Sequence, residues 1–357
     1  MMQAEPVRAQ YLVWVLQGAR EGDNAQARAL AERLGAAFVL KRLKWSPFHL
    51  LPNAVTRAGL LAVDRERSDS LSPPWPDAVI AVGRRTAPIA VWIKRQSEGR
   101  TRLIHLGRPR FPLNRFDLVI TTPQYALPDG PNVVKALLPM TSAVPKPDGA
   151  AWHERFAHLP KPWTGVLVGG STFPFLFGRA EAVGFSEKLR AYQQQHPGSL
   201  LVSTSPRTDK DVARILAEAV DQEGYVHRWT SGADNPHHFI LSEAERFIVT
   251  EDSASMLAEA CRSRKPVEIY ELPRLPLPLS WQGQSGLAAY LARAGLLSPP
   301  RDTRKLRDDI VHRGHARLLG DTGTRPFVPY ADEWVEIAAR IDAMLSAHPG
   351  EVESLRR

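Results

Sequence analysis

Short, almost uninterrupted apolar runs alternate with helical segments along most of this chain, and that alternation is what most constrains its fold. The runs are YLVWVLQ (11–17), AAFVLK (36–41), DAVIAV (77–82), RLIHL (102–106), DLVIT (117–121), TGVLVGG (164–170), SLLVSTS (199–205), GYVHRW (224–229), RFIVT (246–250) and PVEIY (266–270). Strands of this kind are covered on both faces, which is the signature of parallel sheets flanked by helices. Helical patterns occupy 23–34, 85–97, 180–195, 208–222, 254–262, 285–295 and 331–347. At 357 residues the chain is longer than one core usually holds. The expected fold class is therefore α/β, with two Rossmann-like doubly wound domains facing a cleft. The proline-rich stretch 139–163 contains the linker. The expected division is 1–158, 159–330, and a C-terminal helix in 331–357 that packs back on the first domain. Doubly wound sheets take their ligands at the carboxyl ends of the strands.

Composition narrows the partners. A net charge of +8 favours anionic ones, such as nucleotides, phosphorylated sugars or lipid headgroups. Nucleic acid is not expected, because the basic residues are scattered and carry no zinc-ligand or aromatic RNA-binding pattern. No apolar run approaches the roughly 18 residues of a membrane span, and Tyr11 to Leu16 is too short for a signal-peptide core. The single cysteine, Cys261, cannot form an internal disulfide. The expected location is cytoplasmic, peripheral at the inner membrane. KRLKWSPFHLLPNAVTRAGLLA (41–62) mixes basic and apolar residues and reads as a membrane-interface patch, a lid or a buried loop and helix. His237 and His238 are adjacent and lack partners at zinc spacing, and no metal site is expected.

The polar candidates lie where apolar runs end. FIVTEDSASMLAEACRSRKPVEIY places Glu251, Asp252, Ser253 and Ser255 at a strand end and helix start, with Glu259 further down the helix. Ser253 or Asp252 caps that helix, and a helix N-terminus also attracts phosphate. VGGSTFPFLFG offers Gly169, Gly170 and Ser171 as a turn that cradles a phosphate or simply reverses the chain. Ser205 and Arg207 end another strand, with Thr208 or Asp209 as the cap that follows. GAREGDNAQ places Gly18, Glu21, Asp23 and Asn24 after the first strand; an acid here serves as general base or as a cap, and Asn24 binds a substrate hydroxyl. Gly83 and Arg84 follow the third strand, where Arg84 reaches an anion or lies in a basic loop. There is no P-loop, GxSxG elbow or GxGxxG after the first strand.

Taken in order, GAREGDNAQ, PDAVIAVGRRTAPIA, NRFDLVITTPQY, LPKPWTGVLVGG, LVSTSPRT and the block ending in PVEIY resemble the mitochondrial-fission (elongated-mitochondria) family and its bacterial members. The resemblance covers roughly residues 11 to 275. It implies the two-Rossmann GT-B architecture of glycosyltransferases, with a metal-independent transfer from a nucleotide-sugar donor, no further cofactor, and an envelope lipid or glycan acceptor. It further implies that Gly169, Gly170, Ser171, Ser205, Arg207, Glu251, Asp252, Ser253, Ser255, Met256 and Glu259 line the donor site, with Glu259 near the ribose. Gly18, Asn24, Gly83 and Arg84 would then lie on the acceptor side. The loop after the first strand is similar to that of lipid-A Kdo transferases, which makes Glu21 the first candidate base and Asp23 the second. Plant members recruit a fission GTPase at the mitochondrial surface, so a non-catalytic adaptor is the alternative, and a nucleotide-sugar epimerase is a third.

Overall fold

A computed structural model describes residues 11–51, 53–141, 150–220, 224–232, 234–275, 290–291, 294, 301–323 and 325–346. The chain divides into two compact units, Met1–Ser142 with Leu279–Asp302 and Glu333–Arg357, and Ala143–Pro278 with Thr303–Asp332.

In the first unit, β1 (Leu12–Gln17) and β2 (Ala37–Arg42) flank the helix α1 (Glu21–Leu34). The short α2 (Asn53–Thr56) precedes β3 (Ala78–Val82) and α3 (Gly83–Gln96). β4 (Arg102–Leu106), β5 (Leu118–Thr121) and β6 (Val133–Lys135) follow. The sheet order is β2-β1-β3-β4-β5-β6, and every neighbouring pair is parallel. Successive residues of β1 feed opposite faces: Val13 and Val15 join one core with Ile80 and Ile104, while Trp14 and Leu16 join another with Val79 and Leu103. That two-sided burial is why these strands read as unbroken apolar runs.

The second unit opens with α4 (Ala150–Phe156) and β7 (Trp163–Val168), then α5 (Arg179–Gln195), β8 (Ser199–Thr204), α6 (Lys210–Ala219) and β9 (Tyr225–His227). It continues with α7 (His237–Glu243), β10 (Arg246–Thr250), α8 (Ala254–Arg262), β11 (Val267–Tyr270), α9 (Thr303–His312) and β12 (Arg317–Leu318). The order β12-β11-β10-β7-β8-β9 is again parallel throughout. It is the doubly wound order in which the chain reverses direction across the sheet between its first and fourth strands. Here those strands are β7 and β10.

Each apolar run expected to be a strand is one. α4 lies inside the proline-rich stretch that reads as linker. It belongs to the second unit because Trp152 and Phe156 pack against Tyr225, and Phe156 also meets Trp163 and Phe239. The final helix, α10 (Trp334–Ser346), places Ile337 and Ile341 in the first unit's core. Most of the expected helix at 285–295 lies outside the described residues. Cys261 is buried, and burial pushes its thiol up to about 12.

Candidate functional site

In the second unit, the carboxyl ends of β7, β8 and β10 converge on the Asp252 carboxylate. Thr250 donates to Asp252 Oδ1 at 2.7 Å, and the Gly170 amide donates to Oδ2 at 3.0 Å. Arg207 also donates to Oδ2 at 3.0 Å, while the Gly169 amide donates to Thr250 Oγ1 at 2.9 Å. Both glycines are required by close approach. A Cβ on Gly169 would lie 2.1 Å from Asp252 Oδ2, and one on Gly170 would lie 2.0 Å from the Arg207 carbonyl. The two amides of the Gly-Gly turn are thus used within the protein, and a carboxylate occupies the place where a phosphate cradle was expected. Burial pushes the Asp252 pKa up, opposed by the bonds from Gly170, Thr250 and Arg207.

Several other expected ligand groups also have internal partners. Glu251 accepts from the Leu272 amide at 2.8 Å and from Arg307 at 2.9 Å, which ties the end of β10 to the exit of β11 and to α9. Burial raises its pKa. Ser205 contacts Thr208 Oγ1 at 3.1 Å and accepts from the Arg207 amide at 3.3 Å, closing the turn after β8. Ser171 bonds to the backbone of Phe177 on both sides of its hydroxyl. Ser253, not Asp252, caps α8 by accepting from the Met256 amide. Asp209, not Thr208, caps α6.

The remaining groups face outward. Arg207 keeps a half-exposed side chain, and Ser255 and Met256 are half-buried in the first turn of α8. Glu259 lies 2.9 Å from His237 Nε2, and His237 Nδ1 lies 3.5 Å from Ser203 Oγ. His237 is absent from the expected set because an adjacent His-His pair suggests only a metal motif. A carboxylate 22 positions downstream was its partner.

In the first unit, the carboxyl ends of β1, β3 and β4 carry the second group. Asn24 is buried, and both ends of its amide are used on Gly18: Oδ1 accepts from the Gly18 amide at 2.8 Å and Nδ2 donates to its carbonyl at 3.0 Å. It therefore shapes the turn after β1, and its Nδ2 also lies 3.4 Å from Glu21 Oε2. Glu21 is exposed and paired with Arg28 at 2.9 Å. Asp23 is half-buried in the first turn of α1, where Arg20 is the N-cap residue. A Cβ on Gly83 would lie 3.2 Å from Asp23 Oδ2, so the acid approaches the start of α3. Burial raises the Asp23 pKa, opposed by Arg20 and Arg301. Arg84 donates to the His49 carbonyl at 3.1 Å and the Leu51 carbonyl at 3.4 Å. Arg84, Arg85 and Arg108 each lose proton affinity first by burial and then through neighbouring arginines, Arg108 to about 10. Of these three, only Arg84 is an anion-binding candidate from the sequence.

A cavity of about 460 Å³ in the second unit is lined by Pro266 and Val267 at the amino end of β11, away from these groups. Among the described residues, no set of three or more His, Cys, Asp or Glu side chains is placed to hold a metal ion. Among them also, no helix is long and apolar enough to cross a membrane.

The family described as mitochondrial fission ELM1 matches residues 21–308. The chain belongs to that family. An uncharacterized protein of Rickettsia prowazekii, RP120, is 27% identical over 297 residues, which cover 73% of this chain and 83% of that protein. The mitochondrial fission protein ELM1 of Arabidopsis thaliana is 30% identical over 219 residues, 54% of this chain and 51% of the plant protein. The chain thus spans about half the length of its plant relative. A solved structure, a putative UDP-N-acetylglucosamine 2-epimerase from Listeria monocytogenes, aligns with a TM-score of 0.50 and 13% identity, covering 96% of this chain and 98% of that one. That likeness shows the fold, the two-Rossmann GT-B type.

Proposed function

We propose that this ELM1-family chain is a metal-independent sugar transferase that uses a nucleotide-sugar donor. The observation that carries the reading is the placement of Arg207, the start of α8 and Glu259 around the β7–β10 reversal point, with Asp252 fixing Arg207. Doubly wound sheets bind nucleotides at such a point. Arg207 pairs with the donor diphosphate, and the first-turn amides of α8 add partial positive charge. Glu259, held by His237, accepts hydrogen bonds from the ribose. Glu251, Asp252, Ser205 and the two glycines are the scaffold that places these groups.

In the first unit Asp23 takes precedence over Glu21 as the general base. Its burial favours the neutral acid and brings its pKa towards the range useful for proton transfer, whereas Glu21 is exposed and ion-paired. As the acceptor oxygen bonds to the anomeric carbon, its proton passes to Asp23. The bond from that carbon to the diphosphate oxygen breaks, and the electron pair leaves with the nucleotide diphosphate. Cationic groups and helix N-termini stabilise that leaving group.

The test is a product balance with UDP-, CMP-, GDP- and ADP-sugars in the presence of envelope extract. Transfer yields a glycosylated acceptor and one equivalent of released nucleotide. An isomerised sugar with no acceptor product would identify an epimerase, and no turnover or nucleotide binding would leave the adaptor role.

A further inference from the structure

The first unit carries a surface that the transfer reading leaves unspecified. Arg108 is only 8% exposed, yet its side chain makes a single hydrogen bond among the described residues, 3.4 Å to the Tyr125 carbonyl. No carboxylate pairs with it there. Among the described residues its other guanidinium nitrogens have no hydrogen-bond partner, yet they are not sealed from solvent, so they can donate to an incoming anion. Its neighbours are also cationic. Arg108 and Arg301 face the same Tyr125 ring at 5.9 and 5.8 Å. The buried Asn53 amide donates to the carbonyls of Arg84, Pro109 and Arg110, cinching the start of α3 to the loop after β4. Arg20 and Arg110 are exposed at the same end of the sheet and lower the proton affinity of Arg84.

The cationic cluster is continuous with an apolar turn. The carbonyls that Arg84 holds belong to His49 and Leu51, inside the 47–51 segment. Phe48 is 51% exposed there and Leu50 is 71% exposed, and Leu61 nearby is 49% exposed. Large apolar side chains presented to water beside a guanidinium cluster match an amphiphile with an anionic head and an apolar tail.

We propose that this end of the first unit binds a phosphate-bearing lipid, with the phosphate on the Arg108–Arg110 cluster and the acyl region against Phe48 and Leu50. That the lipid is also the sugar acceptor rests on the transfer reading above. The lipid surface itself does not depend on it.

The experiment is co-sedimentation of the full chain with vesicles of phosphatidylcholine, alone or with phosphatidic acid added. It is run on wild type, on Arg20→Gln/Arg110→Gln and on Phe48→Ser/Leu50→Ser. All four positions are exposed, and thermal midpoints check the fold. Calorimetry with glycerol 3-phosphate reports on the phosphate alone. The wild type is expected to sediment with the phosphatidic acid vesicles and not with phosphatidylcholine alone, less so as salt is raised. Each arginine removed is expected to weaken binding about fivefold. The apolar double variant loses vesicle binding and keeps the weak binding of glycerol 3-phosphate. Equal binding to both vesicle types, or undiminished binding by the arginine variant, overturns the proposal. Glycerol 3-phosphate bound as tightly as vesicles, with the apolar variant unimpaired, replaces the lipid with a soluble phosphate compound and overturns it as well. Vesicle binding by a protein that binds no nucleotide upholds the lipid surface and removes only the transfer reading.

Discussion

Arg207 donates to Asp252 across 3.0 Å, and the two side chains differ sharply in exposure, 46% against 0%. The carboxylate anchors the guanidinium from below while the rest of Arg207 stays accessible. Removing a buried partner leaves the remaining polar groups unpaired. Asp252→Ala is therefore expected to lower stability by about 3 kcal/mol or more, measured by denaturant unfolding. Gly170→Ala is expected to be at least as damaging, because its Cβ meets backbone that cannot step aside.

His237 and Glu259 form a second link, between α7 and α8. If His237 positions Glu259, their effects are not independent. A double-mutant cycle of His237→Ala and Glu259→Ala is expected to show a coupling of about 1 kcal/mol in stability. The same cycle on nucleotide affinity should show that His237→Ala has little further effect once Glu259 is gone.

His105 on β4 is fully buried, donates from Nε2 to the Gly83 carbonyl at 3.1 Å, and has its pKa lowered by burial to about 4. The unfolded chain therefore binds a proton below pH 6.5 that the folded chain refuses. Stability is fully present above about pH 6.5 and falls as the pH drops towards 4, by up to about 3 kcal/mol. Asp252 and Glu251 have raised pKa values and contribute the opposite slope above the ordinary carboxylate range. The difference between wild type and His105→Gln in thermal midpoint against pH isolates the histidine, and the variant is expected to lose less on acidification.

The first-unit acids are separable by turnover. Asp23→Asn is expected to reduce the rate about 10²-fold or more, while Glu21→Gln changes it little. Because the Asp23 pKa is raised, wild-type activity is expected to fall as the pH is lowered through that pKa, and the rate–pH profile reads this directly. Asn24→Ala, which unties the Gly18 turn, is expected to cost about 2 kcal/mol of stability.

The strands were legible because two-sided burial makes residues such as Val13, Trp14, Val15 and Leu16 all apolar, whichever core each joins. β12, only Arg317 and Leu318, carries no such pattern, and its pairing with β11 decides it. At the site, the residues at strand ends could be named from the doubly wound rule, but their partners could not. Asp252 bonds to groups 82 and 45 positions away, and Arg301 reaches Gln124 across 177. Residue type gives no hint whether a carboxylate near a strand end faces a ligand, as proposed for Glu259 in the second turn of α8, or holds a neighbouring loop, as Glu251 does. Of the arginine cluster only Arg84, at the start of α3, was legible, because Arg20 and Arg108 follow two other strands, β1 and β4, far from it in the chain.

Calorimetric titration of the full chain with UDP, CMP, GDP and ADP, repeated on Glu259→Gln, decides whether the second unit holds a donor site. One of these nucleotides is expected to bind, and the folded variant is expected to bind it about tenfold or more weakly, as follows from losing a charged hydrogen-bond acceptor. Binding of none of them, or binding that Glu259→Gln leaves untouched, would contradict that site.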